Sequence, residues 1–202
     1  MINENSTKAE VLEAVRRDGR ELQYASKELR ADRDVVTEAV KQDGYALGYA
    51  SWELKGDRDV VTEAVKQDGY ALGYASWELK GDRDVVLAAV KQWGGALQDA
   101  SDELRGDKEV VMEAVRANSF ALEFASEELR NDKEVVLAAV GYNGNLLRSG
   151  RALKYASEEL RNDIDVVRAA LSKSWTAVNY ASRQIQRNII QDWLGIKEVK
   201  ND

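Results

Sequence analysis

The chain contains no cysteine, no histidine and no proline among its 202 residues. Without cysteine there is no disulfide framework, no thiolate zinc site and no cysteine nucleophile. Without histidine, the commonest general base, the commonest metal ligand and the side chain that changes charge near neutral pH are all missing. The lack of proline suits a chain that is mostly helical. Long apolar runs are absent too, and the opening stretch MINENSTKAE is polar. It is neither a signal peptide nor a membrane span, so the chain as written is expected in the cytoplasm. Positive charge is in deficit: 29 basic against 36 acidic residues leave a net charge of −7. That balance argues against nucleic acid and against an anionic membrane surface as partners. It is also an ordinary surplus for a water-soluble protein.

What the chain has in plenty is itself. The string DVVTEAVKQDGYALGYASWELKGDR fills residues 34–58 and recurs unchanged at 59–83. Ala25, Ala50, Ala75, Ala100 and Ala125, each followed by Ser, mark a period of 25 residues, and Ala156 and Ala181 continue the column after one shift of six. The chain divides into units 7–31, 32–56, 57–81, 82–106, 107–131, 132–162 and 163–187, with a closing segment 188–202. The extra six residues are placed at Asn145–Gly150 (NLLRSG), as a loop. Identical neighbours are most simply a tandem duplication of one stacking unit, because an inserted unit meets the same surfaces on both sides.

Within a unit the punctuation is helical. Asp32, Asp57, Asp82, Asp107, Asp132 and Asp163 stand where a carboxylate accepts from free N–H groups of a first turn. Val35, Val36, Ala39 and Val40 then form one apolar stripe, and Gly44 is expected to stop the helix as a C-cap. Ala46, Leu47, Ala50 and Leu54 mark a second helix over most of 45–55, with a break or tightening at Ser51, whose hydroxyl can cap a separate turn, Trp52–Lys55. Two short helices bury too little to offset the ordering of their own backbone. Stacking on neighbours is the way out. The expected fold is therefore all-α: an α-solenoid of about seven 25-residue two-helix repeats in a single domain, 1–202, with altered ends. Thr7 and Glu10 form a capping box at one end. At the other, Asn188 is expected to cap a last helix, Ile189–Ile196, striped by Ile189, Ile190, Trp193 and Leu194.

The unit resembles a bacterial and protist repeat family, domain of unknown function 4116, whose pattern reads D-x-E-V-V-L-A-A-V-x-x-x-G-x-A-L-x-Y-A-S-E-E-L-K-x-D. NDKEVVLAAV at 131–140 and LKYASEELRND at 153–163 carry the resemblance. It spans roughly 7–187 and departs at Asn145–Gly150, at Trp175 in the glycine column, and after Asn188. The resemblance implies a repeat array and brings no activity and no catalytic residues with it.

No catalytic constellation is visible, and no cofactor, metal site or enzymatic activity is expected. Glu53, Glu78, Glu103, Glu128 and Glu159, beside Lys55, Lys80, Arg105, Arg130 and Arg161, suggest a ladder of surface ion pairs. A repeat spacing near ~10 Å keeps such carboxylates from sharing one cation. The Tyr24, Tyr49, Tyr74, Phe124, Tyr155 and Tyr180 column reads as core edge. The Trp52 column differs, because its other members (Lys27, Asp102, Glu127, Glu158, Arg183) carry both charge signs and so face solvent. Trp52 and Trp77 are therefore expected to be exposed, which is unusual for tryptophan. On one continuous helix Tyr45, Gly48 and Trp52 share a face, as do Tyr70, Gly73 and Trp77. These six, extended by Trp93, form a candidate docking surface for a protein or peptide. A break at Ser51 would remove that shared face. The expected function is a non-catalytic protein- or peptide-binding scaffold. The alternatives are a self-associating spacer, with weak self-association, and a repeat module of a secreted bacterial effector.

Overall fold

The computed structural model describes residues 2–141 and 150–194. Seven long helices recur along it: α1 (Lys8–Arg17), α2 (Arg33–Gln42), α3 (Arg58–Gln67), α4 (Arg83–Gln92), α5 (Lys108–Ala117), α6 (Lys133–Gly141) and α7 (Ile164–Lys173). Each starts for a local reason. Asp57 Oδ1 accepts from the Asp59 and Val60 N–H groups at 3.0 and 3.1 Å. The same pair of bonds recurs at Asp32, Asp82, Asp107, Asp132 and Asp163. In unit 1 the capping box of Thr7 and Glu10 forms as expected.

The stop differs from expectation. α2 ends because Asp43 turns to extended backbone (φ −147°, ψ 111°) and its carboxylate takes the Tyr45 N–H. Gly44 is not a left-handed cap; it begins a 3-10 helix, Gly44–Tyr49. The glycine is needed because the next unit comes so close. A Cβ on Gly69 would lie 2.5 Å from Ala89 O, and on Gly19, Gly44 and Gly94 closer still to Ala39 O, Ala64 O and Ala114 O. Ser119 holds this column in unit 5 and is buried.

The second half of the unit is not one helix. Gly44, Leu47 and Ala50 are all buried, a spacing of three that suits the three-residue turn of a 3-10 helix. Ala50 and Ser51 are then both extended (ψ 159° and 160°), and Ser51 Oγ caps the four-residue helix Trp52–Lys55. The unit thus has three helical pieces rather than two, and the chain breaks at Ser51. The 3-10 pieces recur at Gly19–Tyr24, Gly69–Tyr74, Gly94–Asp99, Ser119–Phe124, Gly150–Tyr155 and Trp175–Tyr180. The short helices recur at Lys27–Arg30, Trp77–Lys80, Asp102–Arg105, Glu127–Arg130 and Glu158–Arg161.

The pieces stack into a solenoid. Each long helix packs on the next, each 3-10 helix on the next, and each 3-10 helix also on the long helix of the following unit. Val35, Val36, Ala39, Val40, Ala46 and Leu47 are fully buried, and one core runs without interruption from Val11 to Ile185. Two polar contacts tie each unit to its neighbour. Ser51 N–H donates to Arg30 O at 2.8 Å and Ser76 N–H to Lys55 O at 2.8 Å, a bond repeated at Ser101, Ser126, Ser157 and Ser182. Arg33 meanwhile reaches Asp57 at 2.9 Å and Asp59 at 2.8 Å.

Two expectations about the irregular regions change. Gly150 starts the 3-10 helix of unit 6 and takes the glycine column, 3.0 Å from Ala170 O by the same Cβ test. The inserted residues therefore precede Gly150 rather than include it; 145–149 lie outside the described residues. At the far end Asn188 caps nothing. The last short helix runs on as Arg183–Leu194, with Gln184 Nε2 donating to Asn188 Oδ1 at 2.9 Å. Earlier units end this helix with a small or amide residue followed by the capping Asp; Arg187 and Asn188 supply neither. The Trp193 and Leu194 side chains, and Ile196, lie outside the described residues.

Candidate functional site

The break at Ser51 divides the candidate docking surface. Tyr45 and Gly48 belong to the 3-10 layer and Trp52 to the short-helix layer, so the three do not share one helix face. The same split separates Tyr70 and Gly73 from Trp77.

In the 3-10 layer the aromatic residues pack on one another. The Tyr45 ring meets Tyr74 of the next unit edge-on at 5.0 Å and Tyr49 at 6.2 Å. Arg20 lies 5.2 Å over the Tyr45 ring and pairs with Asp43 at 2.6 Å. Gly48 leaves room for this cluster, since a Cβ there would stand 3.1 Å from the Tyr74 ring. Burial and a hydrogen bond to Tyr45 push the Tyr74 phenol up to about 12. Gly73, the duplicate of Gly48, faces only Asp99 Oδ2 at 3.4 Å, because unit 4 has no tyrosine in that column. Tyr70 instead stacks on Trp93, with centroids 3.5 Å apart and planes at 17°. Trp93 replaces the capping Asp of units 2 and 3. Its ring covers Gly95, where any Cβ would collide with it. Trp93 is half-buried and acts as a packing residue here.

In the short-helix layer the two remaining tryptophans stand free of the core. Trp52 is 66% exposed and Trp77 75% exposed, as their mixed-charge column leads one to expect. Each opens its helix, and Lys55 or Lys80 follows three residues later on the same side. The Lys55 ammonium donates to Gly48 O at 2.8 Å and Lys80 to Gly73 O at 2.9 Å. Desolvation, and then the neighbouring Arg30, hold the Lys55 ammonium below its ordinary value.

The expected ladder between the Glu53 and Lys55 columns does not form among the described residues. Positions two apart on a helix stand about 160° apart around its axis, so the glutamates point away from the cations. The ladder that does form uses residues passed over in the sequence: Lys8, Arg33, Arg58, Arg83, Lys108 and Lys133. Each reaches the capping Asp of the next unit and the acid two places beyond. The capping partner lies 24 residues on, or 30 for Lys133 across the longer unit 6, one short of the unit length each time, which is the signal a comparison of columns would have caught. The cation is the first cause holding Asp32, Asp57, Asp82, Asp132 and Asp163 below the usual carboxylate range; at Asp107 the Val110 N–H comes first.

The family described as domain of unknown function (DUF4116) matches at 11–55, 53–80, 82–130, 107–149 and 132–186. The chain belongs to this family. Three of the DUF4116 matches begin on Asp82, Asp107 and Asp132, the residues that cap α4, α5 and α6. No curated protein and no solved structure matches the chain. Among the described residues no helix is long and apolar enough to cross a membrane.

Proposed function

We propose that this chain is a non-catalytic helical-repeat scaffold that binds a protein or peptide, and that it does so in the cytoplasm. The observation that carries the reading is the pair Trp52 and Trp77, held on successive short helices, in register, with most of each indole in solvent. Large exposed aromatics on a rigid framework are what binding surfaces concentrate. Tyr45 and Tyr70 pack against Tyr74 and Trp93 yet stay 38% and 52% exposed, so they flank the contact surface, while Gly48, Gly73 and Trp93 serve as its support. The absence of histidine and cysteine supports a function without general-base or thiol chemistry.

The test is a pull-down from source-cell lysate, and from host lysate if there is a host, with wild type beside Trp52→Lys/Trp77→Lys. A partner retained by wild type and lost by the variant, with circular dichroism unchanged, is the expected result. Equal recovery by both would remove the indoles from the interface and end this reading. A spacer that continues the array from chain to chain is less favoured. Trp175 fills the column where glycine elsewhere admits the next unit, and it is 57% exposed.

A further inference from the structure

We propose that Lys27, Arg30, Trp52, Lys55, Trp77 and Lys80 form one surface stripe that takes an acidic peptide in the polyproline II conformation, with a carboxylate at every third residue. The inference rests on the binding-scaffold reading and names the partner's chemistry.

The six residues come from the short helices of units 1, 2 and 3, two from each. In each helix the pair is spaced i, i+3 and lies on one side, while Leu54 and Leu79 between them are buried. Successive helices are held in register by the backbone bonds from Ser51 to Arg30 and from Ser76 to Lys55. The stripe is therefore built into the frame of the solenoid.

Its charge is unbalanced. Among the described residues none of the four cations is in an ion pair. Lys55 and Lys80 donate to neutral carbonyls. Arg30 Nε is buried and has no partner. Arg30, Lys55 and Lys80 are all half-buried, while Glu28 and Glu53 turn back to Ser26 and Ser51 at the starts of their helices.

Unit 4 shows what this column accepts. Asp102 stands where Trp52 and Trp77 stand, and its carboxylate pairs with Arg105. Glu127 and Glu158 put acids in the same place in units 5 and 6. Arg130 and Arg161 nevertheless make no ion pair among the described residues and keep an unpartnered buried Nε, so unit 4 alone shows the pairing; units 1 to 3, with Lys27, Trp52 and Trp77 in that place, hold no acid there to supply it.

The repeat spacing selects the conformation. Stacked helices lie about 8–10 Å apart. A polyproline II helix turns once in three residues and rises about 9.3 Å per turn, so every third side chain meets the next unit in the same orientation. Its other faces are apolar when proline fills them, and aromatic-lined grooves take such faces without an ordering penalty. The net charge of −7 opposes every polyanion, and it opposes this peptide less than a nucleic acid: one carboxylate per turn of about 9.3 Å against one phosphate per about 3.4 Å of strand.

The experiment is fluorescence anisotropy of a labelled peptide of four Glu-Pro-Pro repeats titrated with the full chain at low salt. A Lys-Pro-Pro counterpart, a composition-matched scramble of the acidic peptide and a single-stranded oligonucleotide run beside it. The expected result is saturable binding of the Glu-Pro-Pro peptide only, weakened about tenfold or more by Lys55→Gln/Lys80→Gln and by Trp52→Lys/Trp77→Lys. The amide keeps a donor for the Gly48 and Gly73 carbonyls, and Lys27→Glu, at an exposed position, serves as a second charge variant. No binding, binding indifferent to the lysine and Lys27 variants, equal binding of the scramble, or equal binding of the oligonucleotide would each overturn the proposal. If the lysate pull-down depends on Trp52 and Trp77 while the Glu-Pro-Pro peptide fails, the scaffold stands and the acidic-peptide assignment falls. If neither depends on them, both fall.

Discussion

Single residues in this repeat do different work depending on which neighbour they meet, and glycine shows it best. Gly44→Ala should cost about 1–3 kcal/mol as overpacking, because the new Cβ meets the Ala64 carbonyl, helix backbone that has to shift to admit it as the junction at Ser119 admits a Cβ. Gly73→Ala should be neutral or stabilise by about 0.4–1 kcal/mol, since its nearest neighbour stands at 3.4 Å. Urea unfolding of the two variants checks the contrast, and equal midpoints would show that the close approach is not what selects glycine. Trp52→Lys and Trp77→Lys should each change stability by less than about 0.5 kcal/mol, read by the same method. The exposure of these indoles was legible in the sequence, because a column that tolerates Lys, Asp and Glu must face water. The reason for Gly44 was not. A glycine after a helical stripe looks alike whether it caps a helix or admits a neighbour, and only the position of Ala64 in the next unit tells them apart.

Among the elements, what reads from the sequence is what is settled within four residues. The Asp N-caps and the Thr7–Glu10 box are local, and both form as expected. The 3-10 helix escapes, because over Gly44–Tyr49 a period of three and a period of 3.6 put the same residues inward. The break at Ser51, expected as one outcome from the serine, is what separates Tyr45 from Trp52. The capping Asp residues also carry a pH consequence. Their folded pKa values are depressed, so the stability they add is complete above the unfolded value, about 3.9, and is lost as pH falls through the folded value. With six such residues and no histidine, the melting temperature should be flat from about pH 5 to 8 and fall steeply below about pH 4. Thermal melts across that range test this. A marked change between pH 6 and 7 would contradict it.

At the scale of the whole molecule the array should tolerate loss of a unit but not of part of one. Deleting 34–58 leaves every junction sequence in place, because Arg33 then meets Asp59 as it now meets Asp34. The six-unit chain should keep its ellipticity per residue and melt a few degrees lower. Deleting only 34–46 should unfold the array on both sides of the cut, and a cooperative melt at the parental temperature would refute the interlocked packing. The count of units and the stacked fold were visible in the period of 25. The offset of the insertion was not, because Gly144 and Gly150 fit the column equally well on paper.

Trp175 gives this array a direction of growth. A new copy can be spliced between any two existing units, since glycine, or Ser119, opens each interior junction. At unit 7 the column holds Trp175, whose indole a following unit stacked in the same way would have to displace. Copying the middle is therefore the easier way to lengthen the array, and the identical stretches at 34–58 and 59–83 are what such a copy would leave. Trp175 is in this sense a stop signal written in side-chain volume, and an engineer extending the solenoid would have to erase it first.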